Sequence, residues 1–171
     1  ELNHSVAALG VGFLGMELFK HMTGINIVRI SYKGAGAAIT GVVSGEVQVA
    51  NGDATSVMPL AKSGKLRGLA VSSAEPSALA PGLPTVAAAG VPGYESVSIQ
   101  GIFAPARTPA AVIARLNQEI VRVLTRADIK ERFFNAGVEV VASSAEEGVA
   151  RIRNEVDRLG RLIKDIGLRT E

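Results

Sequence analysis

The sequence predicts an α/β fold built around a parallel sheet. In the first part of the chain, apolar runs of strand length alternate with segments of helical periodicity. Two of the loops that lead from a strand into a helix are rich in glycine, as is typical of tight turns. Because parallel strands need crossover connections of about a dozen residues or more, this alternation favours right-handed βαβ units.

Composition excludes several classes of function. The 171 residues are 47% hydrophobic and 20% charged, which suits one domain or two small lobes with a buried core. The net charge of +2 is spread along the chain, so no basic stripe for nucleic acid is present. The absence of cysteine excludes disulfides and thiolate metal sites. No signal peptide or membrane span is recognised, and the start at Glu1 leads us to expect a processed form or a fragment.

The first region predicts a helix over residues 13–22, with Leu14, Leu18 and Met22 on one face and Gly24 as the C-cap. The same periodicities predict strands over residues 25–30, 46–50 and 66–71, and helices over residues 37–43 and 56–62.

A connection rich in proline and glycine, residues 72–97, follows this region. We expect it to be irregular, with at most one helical turn over residues 85–89, and to mark the boundary between two lobes.

The last region predicts further strands and helices. We expect strands over residues 97–104 and 138–141, and helices over residues 110–125, over residues 127–136 with a stop at Gly137, and from about Ser144 to Ile166. For the first of these helices, Thr108 is the expected N-cap, Pro109 the first helical residue, and the expected buried residues are Val112, Ile113, Leu116, Ile120 and Leu124. Ser144 and Glu147 match a capping box for the last helix.

The turn Lys33-Gly34-Ala35-Gly36 is the first candidate site. It joins a predicted strand to a helix, where unpaired backbone N–H groups and the helix dipole favour an anion. It lacks the order of a P-loop, and the alternative is a tight turn that requires positive φ.

The turn Asn51-Gly52-Asp53-Ala54 follows the next predicted strand. Both turns fall at the carboxyl ends of parallel strands, where open α/β sheets bind ligands. Asp53 could instead be a simple N-cap. Together the two turns suggest a site in which backbone amides bind a small anionic or polar molecule, with Tyr32 as a further contact.

Evidence for an enzyme is sparse. The only histidines are His4, expected in a frayed terminus, and His21, expected near a helix end, and both are expected at the surface. No catalytic triad order, nucleophile elbow or metal-ligand spacing occurs. We therefore expect no catalytic residue, no metal and no cofactor.

Four segments resemble one known family. In order they are "ISYKGAGAAITGVVSGEVQV", "SGKLRGLAVSS", "LPTVAAAGVPGYE" and "GIFAPARTPAAVIARLNQEIVRVL". They are similar to the extracytoplasmic solute-binding proteins of tripartite tricarboxylate transporters, and the match runs over most of the chain.

This resemblance implies a periplasmic-binding-protein-like, or Venus flytrap, α/β fold. Residues 1–96 would form the second ligand-binding lobe and residues 97–171 the C-terminal part of the first lobe, with the N-terminal portion of that lobe absent. The receptor would be periplasmic, and would capture a small carboxylate or related polar solute and deliver it to a membrane permease. Its loops over residues 5–13, 32–36 and 51–55 would contact the ligand through Gly10, Tyr32, Lys33, Gly34, Ala35, Gly36, Asp53 and Ala54.

Some positions depart from the family pattern. Ser31 stands where a proline is usual, and Gly10 and Phe13 stand at a common serine and histidine. Ala88 stands where glutamate is common, in the connection rather than in the site. The loss of polar side chains at Gly10 and Phe13 implies a first loop that differs from the usual one.

Two other functions stay open on the sequence. One is a small α/β enzyme that acts on an anionic substrate with Lys33 and Asp53 as its catalytic groups. The other is a fragment with a structural or oligomeric role, which exposed apolar surface would favour.

Overall fold

A computed structural model describes residues 2–7 and 10–167. The chain forms two compact units, Glu1–Ser98 and Ile99–Glu171, called unit 1 and unit 2 below. The β-strands are β1 (Leu2–Val6), β2 (Ile27–Ser31) and β3 (Val49–Ala50). The helices are α1 (Val11–Thr23), α2 (Ala35–Val43), α3 (Ala54–Lys62), α4 (Ala110–Leu124), α5 (Ala127–Asn135) and α6 (Ala145–Asp165).

Unit 1 is built on a parallel sheet with the strand order β2-β1-β3. The central strand β1 was not predicted, because Asn3, His4 and Ser5 are polar and the segment therefore lacks the apolar run of a buried strand. Both His4 and Ser5 are nevertheless buried, and His4 has no exposed surface. The prediction of His4 at a frayed surface is therefore wrong, since pairing on both sides and a covering helix enclose this strand.

Helices cover both faces of the sheet. Phe13 of α1 lies under the guanidinium of Arg29, 5.2 Å from its ring centroid, and Arg29 pairs with His4 in the parallel register. Since paired residues share a face, α1 covers the face that carries His4. The helix α2 packs against β1 and β3 from the other face, where Tyr32 contacts Gly41.

The predicted helices of unit 1 are present, and each begins earlier than predicted. Gly24 ends α1 in the left-handed conformation with φ 69°, and its N–H donates to the Lys20 carbonyl over 2.8 Å. This confirms the C-cap. The strand predicted over residues 66–71 is wrong: among the described residues it retains a single bridge between Val71 and Thr85, and Leu69 is exposed.

The connection after Val71 is irregular and contains the expected helical turn, in which the Ala89 N–H donates to the Thr85 carbonyl over 2.9 Å. Its end is firmly packed, because Tyr94 and Ser96 are both buried.

The helices of unit 2 follow their local signals. The capping box of α6 is confirmed, with the Glu147 N–H donating to Ser144 Oγ over 3.1 Å and the Ser144 N–H donating to Glu147 over 2.9 Å. Gly137 follows α5 with φ 76°. At α4 the N-cap is Pro109, with no side-chain capping bond in this described segment, so the prediction of Thr108 as N-cap is wrong.

The strands predicted over residues 97–104 and 138–141 are wrong. The structure describes both segments and shows no ladder in either. A strand needs the backbone of a neighbouring strand, and the described residues of unit 2 offer none. Val112 and Leu116, expected to be buried by α4, are exposed, whereas Ile113, Ile120 and Leu124 are half-buried.

No helix among the described residues is long and apolar enough to cross a membrane.

Candidate ligand-binding site

The three strands of unit 1 run in parallel, so their carboxyl ends share one edge of the sheet. Each strand there is followed by a helix, and the N-caps of α1, α2 and α3 are Gly10, Gly34 and Asp53. Unpaired N–H groups and positive dipole ends therefore converge on this edge. Of the first predicted loop, residues 8 and 9 lie outside the described residues.

Gly34 is required in the β2–α2 turn by its backbone conformation. Its φ of 101° and ψ of 162° lie in a region that is essentially open to glycine alone. A Cβ at this position would meet no described atom within 4 Å, so conformation and not space sets the requirement. The turn is closed by the Gly34 N–H, which donates to the Tyr32 carbonyl over 3.0 Å.

Gly36 stands in the first turn of α2 without such a requirement. Its φ is not positive, and a Cβ there would meet nothing within 4 Å among the described atoms. Lys33, Ala35 and Gly36 are all exposed. A ligand can therefore approach the first backbone amides of α2 closely.

The β3–α3 turn brings Asp53 and Ala54 to the same edge. Asp53 occupies the N-cap position, but its side chain makes no capping hydrogen bond in this described turn. The Ser56 and Val57 N–H groups donate instead to its backbone carbonyl over 2.9 and 3.1 Å. The exposed carboxylate of Asp53 and the first amides of α3 thus remain accessible.

Asn51 joins this turn to α1. Its Nδ2 lies 3.5 Å from the Gly12 carbonyl, at the long limit of a hydrogen bond. The β1–α1 and β3–α3 loops are therefore neighbours at the edge.

The β1–α1 loop can contact a ligand at Gly10 only through its backbone. Gly10 is extended, with φ −173° and ψ −168°, and exposed, and a Cβ on it would meet no described atom within 4 Å, so any residue would fit. Phe13 is 3% exposed and packs in the core beneath Arg29. Phe13, which the resemblance aligns with a common histidine, is therefore a core residue and presents no polar side chain to a ligand.

Tyr32 does not present its hydroxyl at the turn. The ring lies along α2, and its buried Oη contacts Gly41, where an added Cβ would clash with it. Burial raises the pKa of the Tyr32 phenol, and the nearby Glu46 carboxylate adds to the increase. Only the backbone of Tyr32 lies at the edge, where its N–H donates to the Val6 carbonyl over 2.8 Å.

Sequence reasoning missed the buried polar residues of β1. Neither ring nitrogen of His4 makes a well-formed hydrogen bond within the described residues. Burial lowers the pKa of His4, and the neighbouring Lys20 and Arg29 also lower it, whereas Glu17 opposes them. The alternation of Leu2, His4 and Val6 was the only signal that could have revealed this strand.

Two of the candidate site residues carry a charge. Lys33 and Asp53 are exposed and carry opposite charges on different turns of the same edge. Within the described ranges, no group of three or more His, Cys, Asp or Glu residues could bind a metal.

Open α/β sheets bind ligands at the carboxyl ends of their strands, and the candidate site lies at this edge. The chain crosses from β1 to β2 in one direction and from β2 back past β1 to β3 in the other. Fold and site together define an α/β protein of the periplasmic-binding-protein class.

Solved structures agree with this class. A Rhodopseudomonas palustris protein, Rpa4515 with adipate, is 33% identical with a TM-score of 0.80, over 98% of this chain and 56% of that one. MatC from Rhodopseudomonas palustris, with bound malate, is 25% identical with a TM-score of 0.73, over 95% of this chain and 56% of that one. The predicted fold class is confirmed.

The chain belongs to the tripartite tricarboxylate transporter family of receptors, whose model matches residues 3–168. Protein BugT of Bordetella pertussis is 30% identical over 98% of this chain and 52% of its own length. A protein from the tcbD-tcbE intergenic region of Pseudomonas sp. strain P51 is 29% identical over 98% of this chain and 51% of its own length. The chain thus spans about half the length of these relatives.

Proposed function

We propose that this chain forms part of a periplasmic solute-binding receptor that captures a small carboxylate between two lobes. Residues 1–96 form one lobe, residues 97–171 contribute to the other, and the receptor delivers its solute to a tripartite tricarboxylate-type permease. The observation that carries the proposal is the convergence of three helix N-termini on the carboxyl edge of the β2-β1-β3 sheet. Family membership and the adipate and malate of the related structures support a carboxylate ligand.

Backbone amides do most of the binding in this proposal. Carboxylate oxygens of the solute accept from N–H groups of Ala35, Gly36, Asp53 and Ala54, whereas the Gly34 N–H closes the β2–α2 turn and Gly10 contributes backbone alone. Lys33 attracts the solute to the edge by its charge. Tyr32 acts through its backbone, since its hydroxyl lies against Gly41. The exposed Asp53 carboxylate favours a solute that also has a hydrogen-bond donor, such as a hydroxyl group, near its carboxylate.

This edge is too weak to act by itself. A helix N-terminus contributes up to about 2 kcal/mol, so three of them give about 6 kcal/mol at most. A micromolar complex needs about 8 kcal/mol. The rest comes from burial of the solute by the opposing lobe.

Calorimetric titration with malate and adipate tests this proposal. The 171-residue chain should bind either solute weakly, and a chain extended to the length of its relatives should bind one of them with micromolar affinity. Micromolar binding by the 171 residues alone contradicts the two-lobed part of the proposal, and no binding by either chain contradicts the carboxylate.

A pair of lysine variants separates a receptor from an enzyme. Lys33→Ala removes a charge at the edge and should weaken binding a few-fold without affecting any turnover. The control Lys65→Ala removes another exposed charge, beyond the far end of α3, and should leave the affinity unchanged. Turnover of an anionic substrate that disappears in Lys33→Ala and Asp53→Ala would favour the enzyme instead.

A further inference from the structure

Gly15 is a buried glycine in the middle of α1, and it is required because there is no room for a side chain. A Cβ at this position would lie 2.7 Å from Ser96 Oγ and 2.8 Å from Asn51 Nδ2. Its φ is not positive, and glycine is a poor helix former, so the helix itself gains nothing from it. The missing side chain makes a notch in α1 that two other segments enter.

The first of these segments contains Asn51, which follows β3 directly and begins the β3–α3 turn. Its backbone carbonyl would be 3.4 Å from a Cβ on Gly12, and its Nδ2 is 3.5 Å from the Gly12 carbonyl. Both its backbone and its side chain therefore rest on α1. Asp53 and Ala54, which follow in the same turn, carry amides assigned above to the solute.

The end of unit 1 is the other segment. The Tyr94 hydroxyl donates to the Gly15 carbonyl over 3.1 Å in a buried hydrogen bond, and its ring meets Phe19 edge to face. Ser96 is 4% exposed, and its Oγ lies 3.5 Å from the Val11 carbonyl. The notch thus holds the chain just before it leaves unit 1 at Ser98.

We propose that Gly15 and Asn51 are positioning residues for solute binding. The notch at Gly15 places Asn51, Asn51 places the amides of residues 52–54, and Ser96 in the same notch ties this turn to the segment that leaves unit 1. Neither residue needs to touch the solute. The proposal rests on the proposed function for its effect on binding, but not for its effect on the turn.

The test compares Gly15→Ala with Gly160→Ala, a matched change in α6 where an added Cβ meets nothing within 4 Å of the described atoms. Amide hydrogen exchange in the solute-free chain reports on the turn, and NMR titration with malate reports on binding. We expect Gly15→Ala to speed exchange about tenfold at Ser56 and Val57, whose N–H groups donate to the Asp53 carbonyl, and to weaken malate binding by a similar factor, with Gly160→Ala unchanged in both.

A double-variant cycle separates positioning from general destabilisation. If the new methyl acts through Asn51, then Gly15→Ala together with Asn51→Ala should bind malate no more weakly than the worse single variant. Factors that multiply would overturn the proposal, as would unchanged exchange at Ser56 and Val57 in Gly15→Ala.

Two further outcomes are decisive. If Gly15→Ala does not fold, Asn51→Ala, which introduces no clash, should still speed exchange at Ser56 and Val57, and an unchanged rate overturns the proposal. If the unaltered chain binds neither malate nor adipate, the proposed function fails, and the exchange rates still decide whether the notch positions the turn.

Discussion

Unit 1 and unit 2 differ in how far their apolar side chains are covered. The buried apolar residues of the described part of unit 1 come from the sheet, the helices and the connections: Val6, Phe13, Met16, Ile27, Ala38, Val47, Ala80 and Tyr94. In the described part of unit 2, Leu162 alone is buried to this degree, and neither α4 nor α5 has a fully buried residue. Ile102, Phe103 and Val141 are among its exposed apolar side chains.

The difference follows from where each unit finds its hydrogen bonds. A helix satisfies its backbone hydrogen bonds internally, so the local sequence indicates where a helix lies. A strand satisfies its backbone only through a neighbour. Unit 1 holds three strands that pair with one another, whereas the strand-like segments of unit 2 find no partner in the described chain.

The largest expected effect comes from removing one phenylalanine from each unit. Phe13→Ala should lower the free energy of unfolding of unit 1 by about 3–5 kcal/mol, because the ring is 3% exposed and its loss leaves a cavity. Phe103→Ala should change stability by no more than about 0.5 kcal/mol, because the ring is 74% exposed. Urea unfolding followed by circular dichroism measures both, and equal losses would erase the contrast between the units.

A pair of glycine variants comes next. Gly34→Ala should destabilise unit 1 by about 1–3 kcal/mol, since alanine must adopt a conformation reserved for glycine. Gly160→Ala in α6 should stabilise unit 2 by up to about 1 kcal/mol, since it only improves helix propensity. The same unfolding experiment gives both values, and a neutral Gly34→Ala would contradict the backbone geometry of the β2–α2 turn.

Removal of a helix cap tests whether the stability of unit 2 depends mainly on contacts within single helices. Ser144→Ala should cost about 1 kcal/mol, because it removes the side-chain oxygen that accepts from the Glu147 N–H. Thr108→Ala, at a residue that does not cap α4, should have little effect. Hydrogen exchange should quicken in the first turn of α6 and not in unit 1, and faster exchange throughout unit 1 would show that the two units unfold together.

The smallest expected effect is a difference in acid sensitivity. The folded-state pKa of His4 lies below its ordinary value of 6.5, so the unfolded chain takes up the proton first as the pH falls. Unit 1 should therefore be fully stable above pH 6.5 and lose stability below it.

The Asp128 carboxyl of unit 2 affects stability only at lower pH. Its hydrogen bond from Arg126 lowers its pKa from the ordinary 3.8, so its contribution is present above that pH and is lost as the pH falls further. Residue-resolved exchange between pH 7 and pH 5 should show destabilisation of unit 1 alone. His4→Gln should flatten this dependence, and an unchanged slope in that variant would assign the effect to another group.

The contrast also explains what the sequence could and could not predict. Helices with strong local signals, such as α6 with its capping box, agree closely with the predicted bounds. The residues 97–104 and 138–141 have strand-like sequences, yet strand formation depends on partners that no local pattern reveals. The strand β1 was missed for the opposite reason, since tertiary pairing makes a strand of a polar sequence that includes a buried histidine.

The candidate site divides in the same way. The two glycine turns could be located because their chemistry is local, and Gly34 has the positive φ that the sequence suggested. The direction of the Tyr32 side chain depends on Gly41, nine residues further along the chain, and the notch at Gly15 depends on Asn51 and Ser96. These contacts exist only after the chain has folded.

Titration of the ¹⁵N-labelled chain with malate, followed by the shifts of its backbone amides, tests whether the carboxyl edge of the sheet binds the solute. We expect weak binding with shifts concentrated at Gly34, Ala35, Gly36, Asp53 and Ala54, and none in α4 to α6. Shifts concentrated in unit 2, or no shift at millimolar malate, would contradict the assignment of the carboxyl edge as the solute site.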